Sequence, residues 1–167
     1  RAPAPSESAS PAGPTTSPEE ALALCERLNP EGVPGRLTFI TRMGAEKIEA
    51  GLPKLLAAVR DAGHPVVWAC DPMHGNTFTT EGGHKTRRFD DILAEIRGFF
   101  RAHEAVGTWP GGVHVELTGD DVTECLGGAE EIFDTDLGSR YETMCDPRLN
   151  AGQSLDLAFR VSEMLEG

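Results

Sequence analysis

Residues 36–70 read RLTFITRMGAEKIEAGLPKLLAAVRDAGHPVVWAC, and this stretch decides the fold. RLTFIT (36–41) and PVVWAC (65–70) are short runs rich in β-branched and aromatic residues, the composition of buried strands. Between them, 45–62 places apolar residues at helical spacing. An interruption is expected near Gly51 and Pro53, because glycine loosens a helical turn and proline removes a donor. Strand, helix and strand in succession imply parallel pairing, since parallel strands need a crossover connection. The fold class is α/β.

The pattern extends both ways from this unit. Downstream, 87–107 reads as a helix, GGVHVEL (111–117) as a third strand and 154–167 as a closing helix led by Ser154. Upstream, Ser17-Pro18-Glu19-Glu20 combines an N-cap serine, a proline at the first helical position and a glutamate three residues on, which starts a helix running through Leu28. Residues 1–16, RAPAPSESASPAGPTT, hold too little apolar surface to offset their ordering entropy. They are expected to be a disordered, flexible N-terminal tail or linker, with 17–167 as one folded unit.

Composition narrows the function classes. With 15 Lys and Arg against 27 Asp and Glu, the 167-residue chain carries a net charge of -12, which opposes binding to nucleic acid or anionic lipid. Anionic metabolites remain accessible where cations gather, as in the run Lys85, Arg87, Arg88. No stretch has the 18 or so apolar residues of a membrane helix, so a cytoplasmic protein is expected. The cysteines at 25, 70, 125 and 145 form no CxxC pair and fit reduced intracellular thiols.

In parallel α/β folds the ligand site lies at the carboxyl ends of the strands, and here the loops at 71–86 and 118–152 are long and polar. Three candidate metal ligands follow those ends: His74 in DPMHGNT, Glu116 in HVELTG and Asp146 in CDPRLN. One imidazole and two carboxylates suit a borderline divalent ion better than a thiolate-rich zinc site does. Spacing leaves a second reading of Glu116 open, because alternation along 113–117 also suits a half-exposed strand with Glu116 solvated. Arg42, ending its strand, is placed to bind phosphate or carboxylate, or is a solvated charge. Lys85, Arg87 and Arg88 open a helix against its dipole and gain from an anionic ligand. His64, His84 and His103 read as surface or helix-face residues.

The segments GRLTFITRMG, WACDPMHGNT, HKTRRFDDI, GGVHVELTGDDVTECLGG and RYETMCDPRLNAGQSLDLAF resemble, in order and spacing, the second half of class II 3-deoxy-D-arabino-heptulosonate 7-phosphate (DAHP) synthases, from about Gly13 to Gly167. The resemblance implies the C-terminal half of a (β/α)8 TIM-type barrel. It implies a transferase of the shikimate pathway that condenses phosphoenolpyruvate with erythrose 4-phosphate, using manganese, cobalt or a similar divalent ion. It assigns His74, Glu116 and Asp146 to the metal, Arg42 to phosphoenolpyruvate and Lys85 to the active-site lining. Cys145 matches a cysteine beside the metal, able to pair with a cysteine ligand that none of the four cysteines here matches. The family's first half lies outside these residues, so self-association or pairing with a first-half chain is expected. The alternative is a catalytically incomplete half-barrel acting as a regulatory or complementing subunit.

Overall fold

The computed structural model describes residues 8–166. In chain order the elements are β1 (Ser8–Ala12), α1 (Pro18–Leu28), β2 (Leu37–Thr41), α2 (Ile48–Asp61), β3 (Val66–Cys70), a 3-10 turn (His74–Asn76), β4 (Thr77–Thr79), β5 (Lys85–Arg87), α3 (Phe89–Val106), β6 (Gly112–Val113), a second 3-10 turn (Asp134–Asp136) and α4 (Ala151–Glu166). Strands β1, β2, β3 and β6 pair in that order as one parallel sheet, with Leu37 opposite Val66 and Thr41 opposite Cys70. This is the α/β arrangement expected from 36–70. β4 and β5 form a separate antiparallel hairpin.

Burial follows the period-2 alternation of the strands. Leu37, Phe39 and Thr41 of β2 are buried, as are Trp68 and Cys70 of β3. They gather with Leu52, Leu55, Leu56 and Val59 of α2 and Ile92, Ile96 and Phe99 of α3 in one core, where the Phe39 and Trp68 rings lie 5.2 Å apart. Truncating one such side chain to alanine removes about 2–5 kcal/mol. That scale is why apolar spacing dominates local preference here. The intervening residues, Thr38, Ile40, Val67 and Ala69, are less covered, and Val67 is 38% exposed.

β1 corrects the expectation of a tail over 1–16. Residues 8–12, SASPA, are bound through their backbone: Ser8 N–H donates to Arg36 O at 2.9 Å and Arg42 N–H to Ala12 O at 3.1 Å. Since residues 8, 10 and 12 face β2, Pro11 turns its missing donor to the open edge, where proline is tolerated. The strand needs few apolar side chains because β2 supplies the template. Residues 1–7 of the expected tail lie outside the described residues.

Other boundaries shift for identifiable reasons. α1 has the expected capping box, with Glu20 N–H donating to Ser17 Oγ at 3.2 Å and Ser17 N–H to Glu20 Oε2 at 2.8 Å. α2 runs through Pro53 without a break; the four buried apolar side chains at 52, 55, 56 and 59 outweigh one lost hydrogen bond. Gly51 lets Met43 approach, since a Cβ there would lie 3.3 Å from its sulfur. The expected strand 111–117 shortens to Gly112–Val113 because β3 ends at Cys70, whose carbonyl takes the last bond, from His114 N–H at 2.7 Å. α3 begins at Phe89, two residues late, because Lys85 and Arg87 belong to β5. α4 begins at Ala151, three residues early, with Asn150 and Gln153 exchanging side-chain to backbone bonds at its start.

Candidate metal centre and anion site

The site begins where β2 and β3 stop. Asp71, one residue past β3, is fully buried, and its Oδ1 accepts the N–H groups of Met73 at 3.0 Å and His74 at 3.2 Å, closing a tight turn. Its Oδ2 lies 2.7 Å from His74 Nδ1 and 2.9 Å from Arg42 Nη2. One carboxylate oxygen therefore ties the arginine at the end of β2 to the histidine after β3. With Nδ1 engaged by Asp71, the ring presents Nε2 outward, 3.7 Å from Glu116 Oε1.

His74, Glu116 and Asp146 offer donor atoms all within 4.8 Å of one another, and all three side chains are half-buried. Among the described residues this is the one such group of three or more His, Cys, Asp or Glu side chains. An imidazole lone pair facing a carboxylate oxygen is repulsive unless a cation or proton stands between them, and the separation suits donors sharing an ion bound at about 2.0–2.2 Å. Nitrogen and carboxylate donors fit a borderline divalent ion. Cys145 is exposed and outside the group, Cys70 is sealed in the core with its thiol pushed well up by burial, and burial raises Cys125 to about 12. Neither Cys70 nor Cys125 is prepared as a thiolate ligand.

Cations surround the group. Arg87, in β5, is fully buried: Nε donates to Thr77 Oγ1 at 2.8 Å, Nη1 to Glu116 Oε2 at 2.6 Å and also to the Pro147 carbonyl, and Nη2 lies 3.8 Å from Asp146 Oδ1. Lys85 Nζ pairs with Asp146, and this hydrogen bond holds the Asp146 carboxyl below its ordinary range. The loop carrying Asp146 is stapled by buried Glu124, which accepts a bidentate pair from Arg148 at 2.7 and 3.0 Å and the N–H groups of Arg148 at 2.8 Å and Glu142 at 3.2 Å. Burial works to raise the Glu124 carboxyl, but the Arg148 bonds outweigh it and leave it lowered. Three carboxylates, Asp71, Glu116 and Asp146, face three cations, Arg42, Lys85 and Arg87. The cluster is charge-balanced inside a strongly acidic chain.

The five residues that the family resemblance assigns to the site meet here: His74, Glu116 and Asp146 as the donor group, Lys85 on Asp146, and Arg42 on the Asp71 that holds His74. Asp71 and the role of Arg87 were not legible. The one signal for Asp71 was a carboxylate just past a buried strand, and Arg87 stood out only within a cationic run. His103, expected as a surface or helix-face residue, lies on α3 but is buried in the core beside Trp68 and Phe99, not at the surface.

The fold and the site define an α/β protein with a candidate divalent-metal centre at the carboxyl ends of its parallel strands. Residues 10–162 match the class-II DAHP synthetase family, and the chain belongs to that family. It is 64% identical over 152 residues to the phospho-2-dehydro-3-deoxyheptonate aldolase of Streptomyces coelicolor, covering 91% of this chain and 34% of that protein. It is 60% identical over 153 residues to that of Mycolicibacterium smegmatis, covering 92% and 33%. A third match, to the Streptomyces lividans aldolase, is 62% identical over 143 residues and covers 86% of this chain and 97% of that protein. The chain thus spans about a third of the length of the first two relatives. These relatives are named as enzymes, which does not favour the regulatory-subunit alternative. Among the described residues, no helix is long and apolar enough to cross a membrane.

Proposed function

We propose that this chain supplies the metal-holding part of a DAHP synthase active site, in which phosphoenolpyruvate condenses with erythrose 4-phosphate. The observation that carries the reading is the convergence of His74, Glu116 and Asp146 within 4.8 Å beside Arg42, which shares Asp71 with His74. Bound to these three donors, a divalent ion such as manganese or cobalt would supply Lewis-acid polarisation of the aldehyde. Asp71 holds the His74 ring so that Nε2 faces the two carboxylates. Arg42, 37% exposed, is free on its outer side to take the phosphate or carboxylate of phosphoenolpyruvate, fixing it for attack. Lys85, nearly half exposed, offers an ammonium to a bound anion beside Asp146. In the overall reaction C3 of phosphoenolpyruvate bonds to the aldehyde carbon, water adds at C2, and phosphate leaves.

The four-stranded parallel sheet is read as part of a (β/α)8 barrel, with 17–167 its C-terminal half and β1 included in it. The weakly covered sheet face at Val67 and the exposed Leu155 and Phe159 of α4 support burial against a second copy or a first-half chain. Four free cysteines, three of them buried, support residence in a reducing compartment, the cytoplasm.

Manganese titration of the chain and of His74→Ala tests the metal site; equal binding by the two removes His74 from it. Adding a polypeptide that carries the family's first half is expected to restore phosphoenolpyruvate consumption with erythrose 4-phosphate. In that mixture Glu116→Gln is expected to abolish turnover. Full activity of Glu116→Gln would sink the assignment.

A further inference from the structure

Glu95 lies on the buried stripe of α3 with Ile92, Ile96 and Phe99, where the helical pattern calls for an apolar side chain. Its Oε1 accepts the N–H groups of Met43 at 2.8 Å and Gly44 at 3.0 Å, and its Oε2 accepts Asn76 Nδ2 at 2.8 Å. Met43 and Gly44 directly follow Arg42, and Asn76 lies two residues past His74. Asn76 strengthens the junction by accepting Ala45 N–H at 2.9 Å and donating to Pro72 O at 2.8 Å. The two loops are pressed together at glycines: a Cβ on Gly75 would lie 2.4 Å from Gly44 N, and one on Gly44 2.9 Å from Gly75 O.

A core position needs only bulk, which leucine would supply. Three converging N–H groups need an acceptor, and leaving them without one in the interior is costly. The carboxylate is retained despite its own desolvation penalty. Its three donors belong to the two loops that present the candidate anion and metal residues.

We propose that Glu95 is a positioning residue that sets the separation of the loops after β2 and β3, and so aims Arg42 and His74 at a common site. This rests on the reading of that site as a metal and anion centre.

Glu95→Gln in the full chain keeps an oxygen for Met43 and Gly44 but sets an NH2 group against that of Asn76. The 15N resonances of the His74 ring and the Arg42 guanidinium are expected to shift while circular dichroism stays that of the folded chain. Manganese binding is expected to weaken about tenfold, as for other lost supports of metal ligands. Glu95→Gln combined with Asn76→Asp gives the glutamine NH2 an acceptor but takes the donor from Pro72 O, so both resonances should return part of the way toward the parent. A merely structural role would lower the melting temperature and leave the resonances of the folded protein in place, which would overturn the proposal. If Glu95→Gln does not fold, Asn76→Ala provides the same readout from the other partner. Failure of the parent chain to bind manganese would overturn the metal reading, and the resonance test would still decide on Glu95.

Discussion

Arg87 Nη1 lies 2.6 Å from Glu116 Oε2, and the arginine is wholly buried while the glutamate is partly open. A buried guanidinium is tolerable only when its hydrogens are directed at acceptors, and Thr77, Glu116 and Pro147 take three of its directions. Its Nη2 has no hydrogen-bond partner and lies 3.8 Å from Asp146. The same side chain thus faces two of the three candidate metal ligands from behind.

Arg87→Met is expected to destabilise the chain by about 3 kcal/mol, because the buried Pro147 carbonyl and the partly buried Glu116 carboxylate both lose their donor. Arg87→Lys keeps the charge without the planar fork and should recover only part of that loss. Urea denaturation of the three proteins measures both. Equal stability of Arg87→Met and the parent would mean that the buried guanidinium contributes nothing.

Asp71→Asn probes the support behind His74. The amide has only one oxygen, so its NH2 would face either His74 Nδ1 and Arg42 together or the Met73 and His74 backbone N–H groups, and the imidazole is no longer held with Nε2 outward. Manganese affinity should fall about 10- to 100-fold. Isothermal titration at one pH decides, and an affinity within twofold of the parent would remove Asp71 from the support of the metal ligand.

The unit from β2 to β3 was legible because three apolar periods in succession admit one packing. β1 was not, because SASPA has no apolar pattern and is held by backbone bonds that any sequence without a badly placed proline could make. The hairpin Thr77–Thr79 with Lys85–Arg87 was missed for a related reason: three-residue strands are too short to display alternation. The donor residues stood at strand ends, where the fold class directs attention, and the family resemblance raised them above other polar residues. Asp71 and Arg87 stayed hidden because a buried charge and a solvated one are written with the same letter.

Gly75→Ala tests the contact between the two loops. The added Cβ would lie 2.4 Å from a backbone nitrogen and 2.9 Å from the Gly44 Cα, and backbone cannot swing aside as a side-chain end can. A loss of about 2 kcal/mol is expected, within the range for overpacking. Gly83→Ala, where nothing lies within 4 Å but φ is +86°, separates steric from conformational cost. A Gly75→Ala protein no less stable than Gly83→Ala would show that the loops can part freely.

Two buried groups set opposing pH dependences. Burial pushes His103 from its ordinary 6.5 down to about 4, and pushes Glu95 from 4.5 up to about 7, with the nearby Asp71 charge adding to the rise. Between pH 4 and 6.5 the unfolded chain carries the extra proton on His103, so this group makes stability rise with pH. Between pH 4.5 and 7 the folded chain carries the extra proton on Glu95, so this group makes stability fall as pH rises. Each effect is on the order of 3 kcal/mol when fully expressed, and in the shared window they largely cancel. Asp146 and Glu124, both held low, act only below that window. In His103→Phe the Glu95 slope alone should remain, with stability falling from pH 4.5 to 7. In Glu95→Gln the His103 slope alone should remain, with stability rising from pH 4 to 6.5. Urea midpoints at pH 5 and 6.5, with a chelator present, should therefore move in opposite directions in the two variants. Slopes of the same sign would show that at least one of these groups keeps its ordinary titration in the folded chain.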